Sequence, residues 1–117
     1  MARFIEKPTA VKADGTPPKE IQEYVGLVNT GTAEVSIAKM TSPAGWSEPG
    51  QTPDFNEYTT VLKGSIRVKS MDREWTVKAG QSFMAEAGEW VQYSTPEGAE
   101  YVAVCLPAFS PGKAHRD

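Results

Sequence analysis

Apolar and polar positions alternate along this chain in short bursts separated by glycine and proline. In "EYTTVLKG", Glu57, Thr59 and Val61 fall on one face and Tyr58, Thr60 and Leu62 on the other. In "EYVAVCLP", Tyr101, Ala103 and Cys105 oppose Val102, Val104 and Leu106, and both faces are largely apolar, so that strand needs cover on two sides. "EYVGLVNT" and "EVSIAKMT" flank a turn signal at Gly31, and "EWTVKAG", "QSFMAEAG" and "EWVQYSTP" follow the turn "MDR". "EYTTVLKGSIRVKS" predicts two strands joined by a tight turn at Lys63-Gly64. "SPAGWSEPGQTPDFN" predicts a loop, and "PPKEIQEYV" is compatible with one helical turn or an extended segment. Short strands and short turns over most of the length predict an all-β antiparallel barrel or sandwich.

Composition narrows this. A chain of 117 residues with 39 % hydrophobic content supports one domain, 1–117, with a core near 23–107 and arms at both ends. Twelve Lys and Arg are scattered against fifteen Asp and Glu, for a net charge of −3 with no basic run, so nucleic acid is not an expected partner. "MARFIEKPTA" lacks the apolar core of a signal peptide, and no stretch is long and apolar enough for a membrane helix. The single Cys105, in an apolar run, suits a reduced buried thiol. The expectation is a cytoplasmic protein with no membrane partner. There is one histidine, His115, near the C-terminus, and one histidine with one cysteine cannot build the usual transition-metal site within one chain. Neither a metal nor another cofactor is expected.

The stretch from Gly45 to Gly64, "GWSEPGQTPDFNEYTTVLKG", resembles the first motif of the cupin superfamily, whose barrels space two histidines and a glutamate between two glycines. Gln51 and Pro53 stand at the histidine places and Glu57 at the glutamate place; a variant spacing puts Gly50 and Thr52 there instead. The second motif is matched by "GQSFMAEAGEWVQYST", with Glu86 for its proline, Val91 for its histidine and Thr95 for its asparagine. The resemblance implies a small jelly-roll barrel with a small-molecule site inside, and a homodimer joined by sheet faces or exchanged strands. It does not carry over the family's metal chemistry, since only Glu57 remains a strong ligand.

If that alignment holds, Gln51, Glu57, Thr59 and Val61 point inward from the first motif, and Val91 and Tyr93 from the second. Trp46, Trp75, Trp90, Phe55, Phe83 and Met84 are candidates for the walls and mouth. A carboxyl in such an interior has its charged form disfavoured and becomes a proton carrier near neutral pH. Glu57 and Tyr93 are therefore the candidate catalytic residues, with Gln51, Glu48, Thr59 and Trp90 for substrate binding. Lys39, Arg67 or Lys69 could supply an anion contact. The expected activity is metal-independent acid–base chemistry on a small molecule, of isomerase, dehydratase or lyase type. Two other readings stay open: a non-catalytic metabolite-binding module, and an atypical cupin that holds a hard cation through oxygen ligands.

Overall fold

The computed structural model describes residues 2–117. Nine strands run β1 (Thr9–Val11), β2 (Glu20–Val25), β3 (Ser36–Ser42), β4 (Trp46–Ser47), β5 (Asn56–Lys69), β6 (Glu74–Lys78), β7 (Ser82–Ala85), β8 (Gln92–Thr95) and β9 (Ala99–Leu106), followed by a short helix α1 (Pro111–Ala114). All pairings are antiparallel and follow the path β1-β2-β3-β9-β5-β8-β4, with β6 and β7 also paired to β5. No helix among the described residues is long and apolar enough to cross a membrane.

β5 organises the barrel. Its first half lies between β7 and β9, and its second half between β6 and β8, so one strand belongs to both sheets. The tight turn expected at Lys63-Gly64 does not form; the chain runs on as one strand of 14 residues. It bends instead, with a register shift against β9 between Val61 and Lys63 and with Gly64 at φ +71°. A side chain at Gly64 would collide with the Gly98 carbonyl, so glycine here permits the backbone approach that folds one sheet onto the other.

One open reading resolves and one expectation changes. "PPKEIQEYV" is extended: β2 begins at Glu20, and the segment after Gly26 is a loop rather than more strand. The buried Glu23 carboxylate holds that loop by accepting the Val28 and Asn29 amides, each at 2.9 Å. The alternation itself holds where it matters. Glu57, Thr59 and Val61 are buried while Tyr58, Thr60 and Leu62 are exposed, and Tyr101, Ala103 and Cys105 face inward from β9.

The interior has a packed half and a hollow half. Trp46, Val61, Ile66, Val68, Val77 and Val91 form the packed half, with the rings of Tyr93 and Tyr101 at its border. Phe55, Cys105 and Ala114 form a smaller cluster where α1 docks, with Phe109 set edge-on to Phe55 at 5.7 Å between ring centres. Between them lies the hollow.

Candidate functional site

The hollow is a cavity of about 290 Å³ that reaches from Glu57, Thr59, Tyr93, Tyr101 and Cys105 out to a mouth between the N-terminal arm and the C-terminal segment. Such a volume suits a small metabolite. Of the residues expected at a site, Glu57, Tyr93, Gln51, Glu48 and Thr59 line it. Trp90 does not. Its ring lies against Gly50 and its indole N–H donates to Asp117 at 3.0 Å, on the side opposite the buried Val91 and Tyr93. Of the other candidate wall residues, Phe55 lines the cavity, Trp75 stacks on Phe83 outside it, and Met84 is exposed on the outer face.

Glu57 is the deepest acid. It sits at the start of β5, whose two-residue period turns it inward between Cys105 on β9 and Ala85 on β7. The Gln51 amide donates to its Oε1 at 3.3 Å, and the Cys105 thiol lies 3.8 Å from its Oε2. Both are weak donors for a carboxylate. Burial pushes the Glu57 carboxyl above the usual range, Glu48 pushes it the same way, and Lys19 only partly offsets them. Burial also raises the Cys105 thiol, which keeps it protonated and unreactive.

Tyr93 completes the inner end. Its hydroxyl is near enough to Glu57 for a hydrogen bond to lower the Glu57 pKa and raise its own, yet among the described residues no atom meets it in full hydrogen-bond geometry. Burial, then the Glu57 charge, raises the phenol well above its ordinary value, so it stays a donor. A buried hydroxyl without a partner costs free energy unless something in the cavity accepts its bond.

The cations at the site were not anticipated. Lys39 pairs with Glu100 and Arg67 with Glu74, and neither they nor Lys69 line the cavity. Lys19, just before β2, and Arg116, in the C-terminal segment, line it instead, with the exposed Lys12 at its mouth. Arg116 donates from Nη1 to Glu48 Oε2 and to Gln51 Oε1, both at 2.8 Å, and from Nε to Asp14 Oδ2 at 2.6 Å. Burial alone would lower its pKa, but the Glu48 and Asp14 charges outweigh burial and the guanidinium is held more firmly charged. The segment that carries it is tied to the loop before β5 by amide bonds from Thr52 to His115 and from Asp54 to Lys113, and donates from Asp117 to Gly50. His115 itself points outward and meets Asp54 at 2.6 Å, both half-exposed. Sequence reasoning had only proximity in the chain to work with, and both cations lie in arms outside the motifs.

No protein-family model matches the chain. Solved structures match it over nearly all its length. A predicted oxalate decarboxylase of Thermotoga maritima superposes with TM-score 0.73 at 18 % identity, covering 92 % of this chain and 99 % of that one. An RmlC-like cupin of Shewanella frigidimarina superposes with TM-score 0.73 at 18 % identity over 91 % and 89 %. The chain is a cupin by fold. KdgF of a Halomonas species shares that barrel, at TM-score 0.70 and 13 % identity over 85 % of this chain and 89 % of that one. In sequence, the chain is 40 % identical over 101 residues to the endoribonuclease YbeY of Myxococcus xanthus. That stretch is 85 % of this chain but 34 % of the relative, so the chain spans about a third of the curated protein it matches.

A cupin barrel implies a metal between its two motifs, and the residues here do not fit one. Gln51 and Val91 do meet, exchanging backbone bonds of 2.9 Å each way, and Glu57 lies beside Gln51. The Val91 side chain has no donor atom, and the Gln51 carbonyl oxygen is already taken by Arg116. Among the described residues no group of three or more His, Cys, Asp and Glu is placed to hold a metal ion. No chemical step is therefore routed through one.

Proposed function

We propose that this cupin binds a small carbonyl-bearing metabolite in the barrel and moves a proton on it, with Glu57 as the proton carrier and Tyr93 as the donor to the substrate oxygen. The observation that carries this reading is the unpartnered Tyr93 hydroxyl beside a buried, weakly bonded Glu57 in a cavity of about 290 Å³. A carboxyl raised toward neutrality takes and returns protons at working pH. The Tyr93 O–H stabilises the negative charge that develops on a carbonyl oxygen when the neighbouring carbon loses a proton. The class is an isomerase, dehydratase or lyase whose first step is that proton loss.

The test is hydrogen exchange in heavy water with small ketones, 2-oxo acids and 2-hydroxy acids, followed by proton NMR. The C–H beside the substrate carbonyl should lose its signal in the presence of protein. Glu57→Gln should slow that loss by about 10²–10⁴-fold. Full exchange in the variant overturns the reading. Broadened ligand lines without exchange favour the second reading, a metabolite-binding module, which the same cavity supports.

RNA cleavage is not carried over from the Myxococcus relative. Two thirds of that protein lie outside the match, the net charge here is −3, and an enclosed cavity admits a small molecule rather than a strand. A homodimer is part of the proposal. On the outer face Val25, Ile37, Val104, Tyr58 and Met84 are consecutive cross-strand partners from β2 to β7, an apolar row that a second copy would cover. A cytoplasmic setting agrees with the reduced, buried Cys105.

A further inference from the structure

Lys19 is the buried nucleophile that proton transfer by Glu57 leaves unused. Its side chain is 5 % exposed and lines the cavity. The amine lies 3.2 Å from the Tyr101 hydroxyl, 3.3 Å from Met40 Sδ, 4.1 Å from the centre of the Trp46 ring and 3.8 Å from Glu48 Oε1. Thus its only carboxylate neighbour within ion-pair reach stands beyond hydrogen-bond distance, and the other oxygen of that carboxylate is bound by Arg116 at 2.8 Å. The Trp46 face attracts an ammonium and the thioether and phenol accept from it, but together they replace only part of the hydration that burial removes. Burial lowers the Lys19 pKa, with Glu48 and then Glu57 partly restoring it. An amine that sheds its proton more readily than a solvated lysine is the form that attacks carbonyl carbon.

We propose that Lys19 condenses with the carbonyl group of a small 2-oxo acid to form an imine in the barrel. Nζ adds to the carbonyl carbon, and the N–H proton passes to the former carbonyl oxygen. Loss of that oxygen as water leaves the C=N bond, so amine and carbonyl become imine and water with no oxidant or reductant. Tyr101 stands where it can relay the proton, since its hydroxyl also lies 2.9 Å from Ser42 Oγ. Burial raises the Tyr101 phenol too, so it works as a neutral donor and acceptor rather than as a phenolate. Arg116, on the far oxygen of Glu48, is the cation available to a substrate carboxylate. The imine makes the neighbouring C–H more acidic, which is the proton that Glu57 is placed to take. The proposal thus rests on the cavity being a small-molecule site and deepens its chemistry, but it is read at a different residue.

The experiment uses pyruvate as probe, with borohydride to reduce any imine to a stable secondary amine, and locates the adduct by intact mass and peptide mapping. Lys19 should be labelled clearly ahead of the other seven lysines, because burial leaves more of its amine uncharged and the cavity holds the keto acid beside it. Lys19→Arg keeps the positive charge and should lose the adduct while retaining the parent's melting temperature within a few degrees. If Lys19→Arg does not fold, protection of Lys19 from reductive labelling by a non-carbonyl analogue, lactate, serves in the parent chain, and its absence counts against the proposal. Labelling spread evenly over surface lysines, or no adduct, overturns it. Glu57→Gln separates the two ideas: there the Lys19 adduct should persist while proton exchange is lost. Exchange in the parent without any Lys19 adduct refutes the imine and leaves the Glu57 reading standing.

Discussion

β5 passes through two interiors. Over Ile66 and Val68 it faces Trp46, Val77 and Val91, all buried and all without a titratable group. Over Glu57 and Thr59, earlier in the same strand, it faces Glu48, Gln51, Cys105, Lys19 and Arg116 around open space. The strand alternation is the same in both halves, so the difference comes from what the rest of the chain brings to them. The packed half is closed by other strands. The hollow half is closed by arms, residues 11–19 from one end and 109–117 from the other, clasped together by Asp14 and Arg116. One half stores stability and the other keeps costly groups ready for a ligand, a division seen where sites are built at the expense of packing.

The largest effect should come from the packed half. Ile66→Ala leaves a void among side chains that cannot close over it and should cost about 2–5 kcal/mol, read as a lowered denaturation midpoint with unchanged slope. Next is the clasp. Arg116→Ala removes the partner of the buried Glu48 and frees the terminal segment, and should cost about 1–3 kcal/mol, the lower end reflecting the partial exposure of Arg116. A loss as large as that of Ile66→Ala would mean the two halves are not distinct.

Glu57→Gln should show the opposite sign. The fold holds the Glu57 proton more tightly than the unfolded chain, whose carboxyl titrates near 4.5. The stability that this proton supplies is therefore complete below that value and is lost as pH rises through the folded value. Urea melts of both proteins across pH 4 to 8 should find the variant no less stable than the parent, with its advantage growing as pH rises. A parent that gains stability relative to the variant with rising pH would contradict a desolvated acid.

The smallest effect on the fold, with a clear effect on assembly, belongs to the outer face. Tyr58→Glu, at an exposed position of the apolar row, should change the melting temperature little but shift sedimentation at micromolar concentration from dimer to monomer. A parent that already sediments as a monomer removes the dimer.

These contrasts also explain what could be read from sequence. Glycine spacing and the two-residue period placed Glu57, Thr59 and Tyr93 inside, because strand geometry turns a local pattern directly into direction. Trp90 was named for its aromatic ring and not for its position in the period, and its place beside the inward Val91 turns it away from the cavity. Local pattern failed at Lys63-Gly64, where a glycine that permits a turn also permits a bend within a strand. Lys19 and Arg116 were out of reach for a different reason. No periodic rule governs an arm, and only tertiary docking decides that one arm leaves its lysine on the surface while another buries it. Lys39, offered as an anion contact, sits on the outer face beside Glu100, which only the register of β3 against β9 reveals.

The central claim is that the hollow half holds a desolvated carboxyl, which keeps its proton to higher pH than a solvated one, beside a buried phenol. Carbon-13 NMR of the Glu57 side-chain carboxyl, assigned by comparison with Glu57→Gln, measures this directly. A titration midpoint displaced clearly above 4.5 is the predicted result. A midpoint at or below 4.5 would place a charged, well-solvated acid in the barrel and contradict the account.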